Sequence, residues 1–315
     1  MTYKYLFGPV PSRRLGLSLG VDLVPHKTCS LDCIYCECGE TTNLTLERKE
    51  YVSTEELKAE LNHYFKNQYE KNPPKYFTFS GSGEPTLGSN LGDIVNFIKS
   101  KNLNSKICLL TNSTLLWNEK VRSELKEIDL VVPSLDAVLE ETYQKINRPA
   151  KNLPIEKIIE GLIEFQKEFK GQIFLEIFII PGLNTSKKEL TRFKKVIEQI
   201  NPDKVQLNSL DRPGVLENLQ KAPKITLEKI IDFWNLENVE IVSRYEVQQK
   251  TLTRDLNELK NQILQIISRR PCTIQDLADS LASRRVEIMK MIDILSNENK
   301  IESQIMDRGV FYSVK

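Results

Sequence analysis

Between residues 17 and 234 the chain changes hydrophobic period again and again, and this alternation restricts its fold more than any other feature. Short apolar runs at 17–24, 76–80, 107–111, 130–134, 173–180 and 205–210 read as strands. Segments with helical spacing lie between and after them, at 54–70, 90–101, 119–127, 139–145, 155–169, 187–200 and 227–234. Ser53 or Thr54 is placed to cap the first of these. A strand followed by a helix, six times over, builds a parallel sheet with helical crossovers. Strand count alone allows an open six-unit barrel or a doubly wound sheet, and 239–243 extends the edge of either. In a parallel α/β barrel the chemistry collects at the C-terminal ends of the strands.

The first strand leads into Cys29-Ser-Leu-Asp-Cys33-Ile-Tyr35-Cys36, three cysteines in a C-x3-C-x2-C spacing. Thiolates suit iron–sulfur clusters or zinc and suit magnesium or calcium poorly. A structural zinc site takes four ligands, usually as two separated pairs. Only Cys38 is near enough to be a fourth, and no second C-x2-C or H-x3-H half-site occurs in the sequence. Three ligands and one open position fit a [4Fe–4S] cluster with one iron free. Cys108 and Cys272 are isolated, so the six cysteines do not form a disulfide framework. The N-terminus shows no signal-peptide pattern and no run approaches a membrane span. With a cluster that needs reducing surroundings, the expectation is a cytoplasmic protein without a membrane partner. Lys+Arg 44 against Asp+Glu 43 is balanced, so bulk charge argues for neither nucleic acid nor an anionic membrane.

The cysteine spacing, with aromatic Tyr35 before the third cysteine, resembles the signature of the radical SAM superfamily. The resemblance implies an open (β/α)6 partial barrel with a [4Fe–4S] cluster on Cys29, Cys33 and Cys36. It implies S-adenosylmethionine (SAM) chelated to the free iron through its amino and carboxylate groups. It also implies reductive cleavage of SAM to a 5′-deoxyadenosyl radical that abstracts hydrogen from a substrate, with electrons from a flavodoxin- or ferredoxin-type donor. Upstream, Gly8-Pro-Val-Pro-Ser-Arg-Arg14-Leu-Gly16 is similar to segments in one group of iron–sulfur oxidoreductases resembling the wybutosine-synthesis enzymes of tRNA. Those enzymes carry a further cluster or a flavin domain, and this sequence shows neither. Proline and glycine make the segment unfit for a helix interior. Ser12, Arg13 and Arg14 could grip a phosphate or carboxylate, or pin an N-terminal lid through surface ion pairs.

The same resemblance assigns cofactor-binding roles at the strand ends, beginning with Tyr35 in the cysteine loop. The second strand ends Ser80-Gly81-Ser82-Gly83-Glu84-Pro85, like the family's glycine-glycine-glutamate element, with Glu84 toward the methionyl amine. Read from the residues alone, it is also a turn with a capping glutamate. Asn112, Ser134 and Asp136 end the third and fourth strands, where the family contacts SAM's ribose and carboxylate; helix capping is the other reading. Glu176 lies inside an apolar strand and needs a partner such as Arg148, or a ligand. Asn208 and Asp211 are candidates for adenine or substrate, or for the turn at Asp211-Arg-Pro-Gly214.

The expected organisation is a barrel domain over 1–247, a polar linker at 248–254, and a small domain over 255–315. Helices at 256–268, 273–281 and 283–297 and a hairpin at 300–305 and 309–314 resemble a winged helix. Arg284, Arg285 and Lys290 lie on its third helix, the one that enters the major groove in DNA-binding members. Yet 257–315 holds nine Lys/Arg against eight Asp/Glu, without the basic excess of a dedicated nucleic-acid binder. The leading reading is a radical SAM enzyme whose small domain docks RNA, with removal of that domain sparing cluster assembly. Modification of a peptide or protein is one alternative, and a DNA-binding regulator that senses through its cluster is another. Cys38 reads as a bystander.

Overall fold

The computed structural model describes residues 3–12, 14–81, 83–216, 218–242 and 256–315. The expectations for Arg13, Ser82, the end of strand 239–243 and the linker 248–254 lie outside the described residues.

In chain order the first elements are β1 (Leu6–Ser12), β2 (Gly16–Val21), β3 (Thr28–Cys29), β4 (Asn43–Leu44) and α1 (Thr54–Asn67). β5 (Tyr76–Phe79), α2 (Leu91–Lys99), β6 (Lys106–Thr111), α3 (Glu119–Glu124) and β7 (Leu130–Pro133) follow. Next come α4 (Glu140–Asn147), α5 (Ile155–Glu168), β8 (Gln172–Phe178), α6 (Lys187–Ile200), β9 (Lys204–Asn208), α7 (Lys224–Trp234) and β10 (Val239–Ile241). One sheet carries eight strands in the order β1-β2-β5-β6-β7-β8-β9-β10. From β2 onward all its neighbours are parallel. A doubly wound sheet reverses direction at a switch point. This sheet instead runs in chain order from edge to edge, as a barrel's does, and β1 and β10 do not pair.

β5 and β7 are buried on both faces, as strands of a helix-covered parallel sheet are. The main core lies between the sheet's outer face and the helices, with Phe77, Ile94, Leu162, Phe193 and Trp234 among its members. Inside the curve, Leu15, Tyr76, Cys108, Leu130 and Val132 form a smaller apolar floor.

β1 is a finding that the sequence reading lacks. Pro9 and Pro11 read there as breakers, yet the segment pairs antiparallel with β2. It is an edge strand, where a missing N–H costs no ladder bond on the open side.

The C-terminal module packs α8 (Leu256–Ile267), α9 (Ile274–Leu281) and α10 (Arg285–Asn297) against the hairpin β11 (Ile301–Met306) and β12 (Gly309–Val314). Ile263, Leu277, Ile288 and Leu295 centre its own core. Thr273 caps α9 and Asp276 returns the bond to Thr273's N–H, a capping box. The module sits on the barrel. Arg269 stacks on the Phe7 ring and pairs with Asp22, and Met306 packs beside Ile34, Phe178 and Leu210.

Candidate active site

The cysteine loop is held by the C-terminal end of α4. Carbonyls that a helix leaves unpaired at this end need donors. Asn147 and Ile146 receive the N–H groups of Asp32 and Ile34, both at 2.9 Å. Arg148, the left-handed residue that ends α4, donates to the Asp32 carbonyl at 2.6 Å and pairs with its carboxylate at 3.0 Å. From sequence, Arg148 stands as an example of a cationic partner for Glu176, with a ligand as the other reading. That expectation is corrected: Glu176 pairs with Arg14, which reaches it from the β1–β2 turn, and Asn208 adds a bond at 3.3 Å.

Each of the three loop sulfurs accepts a side-chain N–H donor. Asn112 Nδ2 reaches Cys29 at 3.4 Å, Asn147 Nδ2 reaches Cys33 at 3.3 Å, and Lys27 Nζ reaches Cys36 at 3.1 Å. Lys27 is only 4 % exposed and makes no carboxylate ion pair among the described residues. The Cys38 thiol and the Lys27 ammonium bring the Cys36 thiol down to about 6 against the effect of burial. Burial, with Glu84 nearby, pushes Cys29 up to about 12, and burial beside Asp136 raises Cys33. Loading metal therefore displaces protons chiefly from Cys29 and Cys33.

The thiol donors and the N–H groups bonded to them fit a [4Fe–4S] cluster, whose properties are tuned by hydrogen bonds to its sulfurs. Among the described residues, no three His, Cys, Asp or Glu converge on a single-ion site. Thiolates that bind separate irons of one cluster stand farther apart than the ligands of one ion.

The glycine-rich loop locks under the cysteine loop. Glu84 N–H donates to the Thr28 carbonyl at 3.0 Å, and a Cβ on Gly83 would lie 2.2 Å from that oxygen. Only glycine allows this approach. Glu84 itself is buried and accepts from Thr86 N at 3.1 Å, Thr86 Oγ1 at 2.6 Å, Thr111 Oγ1 at 2.6 Å and Asn112 N at 2.8 Å. A carboxylate has about four acceptor positions, and this chain fills them. Burial raises its pKa while the donors from Thr111, Thr86 and Asn112 pull it down.

Tyr35 stacks on Phe178 at 3.9 Å and donates its hydroxyl to Asp136. Asp136 also accepts from Asn147 Nδ2 at 3.0 Å and Phe178 N at 2.9 Å. Tyr35, Asn112 and Asp136 are thus gathered around the sulfurs, as supports of the loop. Ser134 bridges to Glu176 through the backbone, and Asn208 shares Glu176 with Arg14. Ser80 and Gly81 line a cavity of about 270 Å³ inside the curve of the sheet, beside Glu37 and Cys38. Asp211 is engaged by Arg308 of the hairpin at 3.2 Å.

A family model described as "Radical SAM superfamily" matches residues 23–193, more than half of the chain. The chain belongs to the radical SAM superfamily. Members use a [4Fe–4S] cluster and SAM, and the chain is accordingly an enzyme. A UPF0026 protein of Methanocaldococcus jannaschii is 34% identical, over 97% of this chain and 94% of the relative. A Brachyspira hyodysenteriae protein named GTPase Obg is 36% identical over 99% of this chain, which spans only 45% of that longer protein. More distant is a probable dual-specificity RNA methyltransferase RlmN of Petrotoga mobilis, 25% identical over 69% of this chain and 61% of its own. Among solved structures, a radical SAM methyltransferase from Sphaerobacter thermophilus shares the fold with a TM-score of 0.56. It is 15% identical, with 73% of this chain and 67% of that one covered.

Sequence reasoning missed Lys27, Asn147 and the Glu37–Arg212 pair at 3.2 Å. Lys27 had a signal: it is a lone lysine two residues before a ligand cysteine. Asn147 had none, because its reach to Cys33 spans 114 residues of sequence.

Proposed function

We propose that this radical SAM enzyme acts on RNA, held against the C-terminal module while hydrogen is taken from it at the barrel mouth. The observation that carries the catalytic part is the set of three N–H donors on Cys29, Cys33 and Cys36, a sulfur environment made for a cluster. The chemistry supplied by cluster and SAM, when bound, is one-electron cleavage to methionine and a 5′-deoxyadenosyl radical that removes substrate hydrogen.

The chain's own residues do the rest. Lys27, Asn112 and Asn147 hold the sulfurs, and Glu84 sets the 80–83 backbone against the cysteine loop. A regulator that only senses through its cluster has no use for this glycine-rich loop or for polar strand ends.

The RNA part is supported by the distant likeness to an RNA methyltransferase and by three helices with a hairpin, read as a winged helix. Arg284, Arg285 and Lys290, all exposed at α10, are given the docking role, Arg284 keeping a surface pair with Glu287 at 2.9 Å. An electron donor of flavodoxin or ferredoxin type completes the reading.

Anaerobically reconstituted protein with dithionite should convert SAM slowly to 5′-deoxyadenosine, and the Cys29/Cys33/Cys36 triple alanine variant should not. A triple variant that keeps its full metal content would sink the catalytic reading. Crosslinking to RNA, DNA and peptide pools tests the rest. Wild type should enrich RNA, and Arg285→Glu/Lys290→Glu should lose it; enrichment of peptide instead would replace RNA by a protein substrate.

A further inference from the structure

Four arginines line the 270 Å³ cavity: Arg14, Arg212, Arg269 and Arg270. They face only two carboxylates of its wall, Asp22 and Glu37. Three of the four are committed. Arg14 pairs with Glu176, Arg212 with Glu37 at 3.2 Å and Asp276 at 2.8 Å, and Arg269 with Asp22. Arg270 has no ion pair and no side-chain hydrogen bond among the described residues, and it is half-buried. None of its guanidinium nitrogens is sealed from solvent, so the fork, with five N–H donors, is open to an anion that enters the cavity. Hydroxyls of Ser12 and Ser80 share the same wall.

We propose that this cavity is an oxyanion site, in which Arg270 takes a phosphate or carboxylate of the substrate. The guanidinium fork matches either group bidentately. The proposal rests on the reading of the barrel mouth as the reaction chamber, and it gives the C-terminal module a wall of that chamber. Cavity walls from two parts of the chain let the substrate's anion be gripped on one side while its reacting carbon faces the barrel on the other. It also reassigns the anion grip expected of Ser12–Arg14, since Arg14 is neutralised by Glu176.

The test titrates the full chain, by calorimetry at low salt, with inorganic phosphate, guanosine 5′-monophosphate and glutarate. Wild type, Arg270→Gln, Arg270→Lys and Lys229→Gln are compared. At least one probe should bind wild type and bind Arg270→Gln about tenfold more weakly, in line with loss of a charge-assisted bidentate contact. Arg270→Lys should fall between, and Lys229→Gln, exposed on α7 away from the cavity, should match wild type. The unfolding midpoint of Arg270→Gln should be unchanged, because no partner in the fold is lost. Preference for the monophosphate over glutarate assigns a phosphate, and the reverse a carboxylate. Equal affinities in wild type and Arg270→Gln overturn the site, as does a wild type that binds none of the probes. A matching loss of SAM affinity also overturns it, by giving Arg270 to the cosubstrate's carboxylate. Formation of 5′-deoxyadenosine without substrate is read separately. Its absence in wild type would remove the radical SAM chemistry, whereas an unchanged anion affinity with that activity intact removes only this site.

Discussion

Glu84 makes a sharp case at the scale of one residue. The family resemblance gives it to SAM's amine; the fold surrounds its carboxylate with four donors of its own chain. Glu84→Gln should therefore act on the empty protein. An amide nitrogen must face one of those donors, leaving buried groups unsatisfied at a cost of about 1–3 kcal/mol. Urea denaturation of the cofactor-free chain should show the loss. An unchanged midpoint, with weaker SAM binding alone, would return Glu84 to the ligand. The type of residue at this position was legible from sequence, and so was its place after the second strand. Its saturation was not, because Thr111 and Asn112 arrive from the next strand and no spacing along the chain reveals them.

Among the elements, what sequence reveals follows what is local. Strand and helix periods are local, and the barrel's units were all readable. Charge partners are set by which strand ends face each other across the curve. Glu176 thus meets Arg14, 162 residues away, and not Arg148, whose place at the end of α4 commits it to Asp32. The proline-bearing β1 was hidden for the converse reason, since its local signal says loop and only its edge position makes it a strand. The contact of α9 with the barrel is likewise non-local. Arg212, 5 % exposed, joins Glu37 of the cysteine loop to Asp276 of α9, and Asp276 is shared with Arg308 at 3.0 Å. Removing one member of a buried pair leaves its partner's charge uncompensated, at about 3–5 kcal/mol. In Arg212→Ala, amide exchange across Ile274–Leu281 should rise well before that of β6 or β7, and more than in Arg308→Ala, where Asp276 keeps Arg212. Uniform loss of protection through the whole barrel would mean that Arg212 serves the sheet and not the junction.

For the molecule as a whole, the expectation that removing residues 255–315 spares cluster assembly is set against the contacts that this removal would break. Such a truncation strips Arg212 of Asp276, Asp22 of Arg269, and the Phe7 ring of its guanidinium. The truncated chain should denature at lower urea than the full one and take up less than a full complement of iron; equal midpoints would show a module that rides on the barrel without supporting it. The same junction has a meaning in time. The cysteine loop is polymerised roughly 200 residues ahead of the segment that covers the mouth. At about 5–20 residues per second, the ribosome needs about 10–40 s to make that stretch. In the later part of this interval, once Ile146, Asn147 and Arg148 have been made, a nascent chain has the supports of its three thiols and no cover above them, so iron and sulfide delivered then meet a wider entrance than the finished protein offers.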